Sequence, residues 1–167
     1  MIDPTELVAV ARNMLEPPGG NPSEAAVRRS MSTSYYALFW ALNAEVAAPF
    51  QSRVHAAAHR LAEHGVAVDA CRRLARPHST VPWLTGSVVC DSALRSFALA
   101  FIQLQQDRLR ADYDTSQVLI ESEARANLDR AESALDALRD ARRRVPEQVQ
   151  ALCVASIARS PSRVIHS

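Results

Sequence analysis

Apolar positions recur at Val27, Met31, Tyr35, Leu38 and Leu42. Steps of three and four put them on one side of a helix, which predicts a continuous stripe facing a core. A second line runs beside it through Arg29, Ser32 or Thr33, Tyr36, Trp40 and Asn43. A core stripe flanked by an Arg-Tyr-Trp-Asn line predicts a helix that is also an interface or one wall of a site.

The same reading divides the rest of the chain into helices. Asp3-Pro4 with Glu6 predicts a first helix over about residues 4–16, ended by Pro17-Pro18-Gly19-Gly20. The helix with the double line starts at Asn21-Pro22, with Asn21 as cap and Glu24 at the third position, and runs to about Ala47. A third helix is predicted over about 51–76, with a break near Gly65, followed by the connector RPHSTVPWLTG. A fourth runs from about Ser87 to Ala111 on the stripe Leu94, Phe97, Phe101, Leu104, which ends in Arg108. Ser122 is expected to cap a fifth, to about Arg144, with Ala124, Leu128, Ala131, Leu135 and Leu138 on one face. Pro146 opens a sixth, to about Arg159.

Long amphipathic helices with short connections predict an all-α, up-and-down antiparallel helical bundle of five to six helices. Residues 1–144 form the expected bundle, and 145–167 a C-terminal helix and frayed tail. Scarce glycine and the lack of strand-like alternation agree with this class. At 167 residues, one core is the expectation.

Charge narrows the chemistry. The net charge is +1, which argues against a broad nonspecific nucleic-acid surface. All 19 basic residues other than histidine are arginine, however, and guanidinium groups fork onto phosphate and carboxylate. Three scattered cysteines, Cys71, Cys90 and Cys153, match neither a disulfide framework nor a zinc motif. Asp3 and Glu6 stand where a signal peptide needs basic and then apolar residues, and no apolar run reaches the length of a membrane span. The expected setting is the cytoplasm, with no membrane contact.

Several side chains could carry chemistry. Glycine-rich phosphate loops and nucleophile elbows are missing from the sequence, and no cofactor is expected. His55 and His59 have the four-residue spacing of a metal-binding pair but lack a clear third ligand, so no metal site is expected. Arg60 and His64 are also four apart, which on a continuous helix puts imidazole and guanidinium on one face. Such a pair could work on a phosphodiester, the imidazole moving the 2′-hydroxyl proton and the guanidinium holding the charge that builds on phosphorus. A solvated helix face explains the same spacing. Arg108, on the core side of its helix, needs a partner, and Asp112 at i+4 is the local candidate. That pair reads either as a structural ion pair or as an arginine held ready for phosphate.

Three segments taken together resemble a known family. RRSMSTSYYALFW at 28–40, RLAEHG at 60–65 and LQQDRLRADYD at 104–114, in that order and spacing, are similar to the HEPN superfamily, and most of all to its small stand-alone bacterial members. The likeness spans about residues 5–140. It implies an all-α bundle, commonly a homodimer, with a cleft near the dimer interface. It also implies metal-independent RNA cleavage by an Arg/His pair in active members, many of which are toxins of toxin–antitoxin or phage-defence systems. Frequent partners are a nucleotidyltransferase-type antitoxin or other subunits of a defence complex.

Carried over residue by residue, the resemblance makes His64 and Arg60 the catalytic pair, with Arg29, Tyr36, Arg108, Asp112 and Tyr113 as phosphate- or RNA-binding residues. Trp40 and Leu109 stand where the family carries histidines, and neither side chain can transfer a proton. Two functions follow as expectations: a ribonuclease, or a degenerate subunit that binds a protein, RNA or nucleotide partner without turnover. A structural dimer module without a ligand is the third. Trp40, Trp83 and the polar line of the second helix are the expected interface anchors.

Overall fold

The structure is a computed structural model that describes residues 2–50, 58, 61–77 and 79–157. Six helices are present among the described residues: α1 (Pro4–Leu15), α2 (Glu24–Ala47), α3 (His64–Ala75), α4 (Ser92–Tyr113), α5 (Glu121–Arg144) and α6 (Pro146–Ile157). The fold is all-α. Its one β-type contact among those residues is a bridge between Thr80 and Val89 that closes the connector before α4.

The predicted stripes are the buried ones. Val27, Met31, Tyr35, Leu38 and Leu42 of α2 are all at most 3% exposed, and Leu94, Phe97, Phe101 and Leu104 of α4 are fully buried. Tyr35, Leu38 and Leu42 and the α4 stripe meet Leu128, Ala131, Leu135 and Leu138 of α5 in one core, to which α3 adds Val68, Cys71 and Leu74 and α6 adds Val149, Leu152 and Cys153. A smaller cluster of Leu15, Val27, Met31, Ala111, Leu119 and Ala124 sits at one end. It joins the end of α1 to the start of α2 and the end of α4 to the start of α5, so each of these connected pairs is antiparallel. At the opposite end Arg142 of α5 pairs with Glu45 of α2 at 3.2 Å, and Arg144 pairs with the α4 cap Asp91 at 3.2 Å.

Helix starts depart from expectation where capping chemistry has competitors. Ser23, rather than Asn21, caps α2 by accepting from the Ala26 N–H. Pro22 therefore lies outside the helix, and Glu24 opens it. α4 starts at Ser92 rather than near Ser87, because Gly86 and Ser87 adopt left-handed backbone (φ 88° and 52°) that ends any helix there. Asp91 then caps α4 through the N–H groups of Ala93 and Leu94. α5 starts one residue before the expected cap Ser122: Glu123 reaches back to the Ile120 N–H at 3.1 Å and does the capping instead. Leu61, Ala62 and Glu63 are not helical, so α3 begins at His64, and Gly65 sits inside the helix rather than at its break.

Arg28 holds the end of α4. Its guanidinium donates to the carbonyls of Ala111 (3.0 Å) and Asp114 (2.9 Å) and also reaches those of Arg110 and Gln117. A helix leaves its last four carbonyls without internal partners, and one planar fork from α2 satisfies several of them. Replacing Arg28 with methionine keeps the stem but removes the donors. The expected loss is about 1–3 kcal/mol in chemical denaturation, with faster amide exchange concentrated at residues 110–117. Uniform exchange with unchanged stability would show that the fork contributes nothing.

Candidate functional site

The site grows from Tyr35, a tyrosine in the apolar stripe. Its ring is fully buried among Tyr36, Phe39 and Phe101, with the Phe101 ring edge-on at 5.5 Å between centroids. A buried phenol needs a hydrogen-bond partner, and here it is His64 at the first position of α3. The Tyr35 hydroxyl and His64 Nδ1 are 2.7 Å apart. Burial pushes the Tyr35 hydroxyl far above its ordinary range, so it stays protonated at any working pH.

His64 is held on a second side as well. Its imidazole stacks on Phe39 with centroids 3.8 Å apart and planes within 18°, and Tyr36 meets it edge-on at 6.0 Å. One flat face is therefore covered while the residue as a whole stays exposed. Whichever tautomer forms, Nδ1 is committed to Tyr35, and Nε2 is left as the nitrogen that can exchange a proton with a ligand. Burial of the covered face, and then the nearby Arg108 charge, hold the imidazole below its ordinary 6.5. It is consequently neutral at pH 7, the form a general base requires.

Arg108 enters from α4. Its Nη2 donates to the Tyr36 hydroxyl at 3.0 Å, and Nε lies 2.7 Å from Asp112 Oδ2. The Nε–H does not point along that line, so the contact is an ion pair rather than an aligned hydrogen bond. Asp112 also accepts from the Ser32 hydroxyl. The guanidinium carbon lies 5.6 Å from the Tyr36 ring centre and 5.4 Å from that of Tyr113, both within cation–π range. The arginine at the end of the α4 stripe is thus held by a carboxylate, a phenol and two rings, with its side chain 18% exposed.

Of the residues singled out from sequence, His64, Tyr36, Arg108, Asp112 and Tyr113 come together through these contacts. Arg29 lies on the same line of α2, seven residues before Tyr36 and roughly 10 Å along the axis. It is exposed, and its side chain forms no hydrogen bond or ion pair with another described residue. Arg60 lies outside the described residues, as do His55, His59 and His78. Residues 61–63 are not helical, so no continuous helix carries the Arg60–His64 spacing onto one face. Among the described residues no three His, Cys, Asp or Glu side chains are grouped to hold a metal ion. Trp40 is half-buried beside Phe39, and Trp83 leans on the core under Arg73 rather than standing free.

Sequence reasoning placed Tyr35 in the core and gave its hydroxyl no role. The signal was available: a tyrosine in an otherwise aliphatic stripe needs a polar partner. Arg28 carries no local signal that separates it from Arg29: the helix end whose carbonyls it satisfies lies more than 80 positions along the chain.

The coupling between His64 and Arg108 has a measurable sign. Arg108→Met removes a cation and frees Asp112, and both changes favour the imidazolium, so His64 should titrate at higher pH than in the unaltered chain. Following the His64 ring resonances by NMR across pH 4–9 reads this directly; a lower or unmoved midpoint would show the two groups to be independent. The same depression makes stability pH-dependent. The unfolded chain takes up the His64 proton first, so this contribution is complete above about 6.5 and is lost as pH falls through the lower native value.

Comparison with protein families, with curated proteins and with solved structures finds no match to this chain.

Proposed function

We propose that this chain is a HEPN-type ribonuclease that cleaves RNA without a metal ion, acting as a toxin or phage-defence effector in the cytoplasm. The observation that carries the reading is the state of His64: Nδ1 is tied to Tyr35, the imidazole is held neutral, Nε2 has no partner among the described residues, and a supported arginine stands behind the neighbouring tyrosine. In the base-competent tautomer, Nδ1–H donates to the Tyr35 oxygen and Nε2 offers its lone pair.

The chemistry follows from those groups. His64 Nε2 takes the 2′-hydroxyl proton, and the 2′-oxygen attacks the adjacent phosphorus. Arg108 and the Tyr36 hydroxyl stabilise the charge that develops on the phosphoryl oxygens. The bond to the 5′-oxygen breaks, and the imidazolium returns its proton to that leaving group. The products are a 2′,3′-cyclic phosphate and a free 5′-hydroxyl. α3 begins at His64 with no side-chain cap, so its first amide N–H groups add a second anion-binding element. Arg60, just ahead of α3 in sequence, and Arg29, which is unpaired among the described residues, are assigned to the RNA backbone.

The test is direct. Purified chain, incubated with RNA in the presence of EDTA, should yield fragments ending in 2′,3′-cyclic phosphate. Loss of all cleavage in EDTA would reject the metal-independent mechanism. A homodimer and a nucleotidyltransferase-type antitoxin partner belong to this proposal; purely monomeric sedimentation at micromolar concentration would count against the first.

A second reading rests on Trp40 and Leu109. Both fill positions where the resembled family has imidazoles, and Arg108 already has Asp112 as counter-ion. This favours a subunit that binds RNA or a nucleotide without turnover. Binding with no fragments under any condition would select it.

A further inference from the structure

Tyr113 is the last residue of α4 and is 69% exposed. One side of its ring is engaged by the Arg108 guanidinium, 5.4 Å from the ring centre. Such exposure of an aromatic beside a buried-edge arginine is not needed for packing, since Tyr113 belongs to neither core cluster. Leu109, one turn earlier on the same side of α4, is also exposed at 39%. The two make an apolar step next to the His64–Arg108 site, and Arg28 holds the backbone at that end of α4 in place.

We propose that the Tyr113 ring, backed by Arg108, is a stacking platform for an unpaired base next to the scissile linkage, so that the site takes single-stranded RNA and rejects duplex. This inference rests on the proposed RNA-cleaving function and deepens it. A cation behind an aromatic ring orients and stiffens it, and a π-face open to solvent is a surface that any base can cover. Bases in a duplex are already stacked on their neighbours and cannot offer a face. Arg29, next in sequence to the Arg28 that grips this end of α4, is exposed and unpaired among the described residues and suits the backbone of the same strand. Selection for single strands would thus come from the aromatic, and the sequence-independent attraction from the arginines.

The experiment uses the full chain and a 2′-O-methyl RNA of about twelve nucleotides, which binds but cannot be cleaved, together with its duplex and a series carrying one abasic residue at successive positions. Wild-type chain should prefer the single strand, and one abasic position should weaken binding by about tenfold or more. In Tyr113→Ala the intact strand should bind as weakly as the abasic strand does to wild type, with no added penalty for the missing base. Tyr113→Phe should behave as wild type. An abasic penalty that persists undiminished in Tyr113→Ala, or equal affinity for single strand and duplex, overturns the platform while leaving the RNA reading standing. Failure of wild-type chain to bind any strand overturns the RNA reading itself. Conversion of a wild-type dimer to monomer by Tyr113→Ala overturns the platform in favour of a self-association surface.

Discussion

Replacing His64 with alanine is expected to lower RNA cleavage by about 10²–10⁴-fold, the usual contribution of a positioned acid–base group. The fold should survive the change. His64 opens its helix rather than filling the core, and its losses are one stacking contact with Phe39 and one hydrogen bond with Tyr35. Those amount to about 1 kcal/mol, well below the stability of a domain this size. RNA affinity should hold, because the cations are untouched, so the loss should appear in kcat with KM little changed. Added imidazole should restore part of the rate by entering the space that the side chain leaves. Cleavage by His64→Ala at the wild-type rate would remove His64 from the mechanism and leave the binding-subunit reading in its place. Circular dichroism and a thermal melt on the same sample separate lost chemistry from lost structure.

The largest effect on stability is expected at Phe101. The ring is fully buried, 5.5 Å from Tyr35 and 5.8 Å from Phe97 between centroids. Phe101→Ala removes the buried ring surface and leaves a cavity between α2 and α4 that surrounding helices cannot close fully. The expected penalty is about 3–5 kcal/mol, which lowers Tm by roughly 6–20 °C for a chain of this length. Phe101→Leu should recover most of it. The same cavity loosens the packing behind Tyr35, so Phe101→Ala should also weaken the hold on His64. In the folded fraction, the His64 titration midpoint should move toward the ordinary value. A melt within a degree or two of wild type would mean that Phe101 is not part of a close-packed interior.

These two positions separate what is readable along the chain from what is not. Phe101 was legible from its spacing with Leu94, Phe97 and Leu104, because burial on a helix repeats every three to four residues and needs no knowledge of the partner. The i+4 pairing of Arg108 with Asp112 was legible for the same local reason. His64 was singled out by spacing from Arg60, an argument that the non-helical residues 61–63 undo. Its actual partners, Tyr35 and Phe39, are 29 and 25 positions away on another helix, where no local period could reveal them. Capping was legible only in part. α1 starts at the expected Asp3-Pro4, with Asp3 as its cap, but Ser23 displaced Asn21, and Glu123 did the work expected of Ser122. Several polar side chains near a helix start can serve, and the one chosen depends on how the preceding loop approaches.

By itself, then, the order of residues determined an all-α chain, the buried stripe of each long helix, and the short-range partner of Arg108. Each is a property of one helix, governed by a period and by neighbours within a turn. Only the tertiary structure decided that Tyr35 ties down His64, that Tyr36 joins His64 to Arg108, and that Arg28 closes the end of α4. Those contacts depend on the rotation and axial offset of separate helices, which are set by how their side chains interlock across the core.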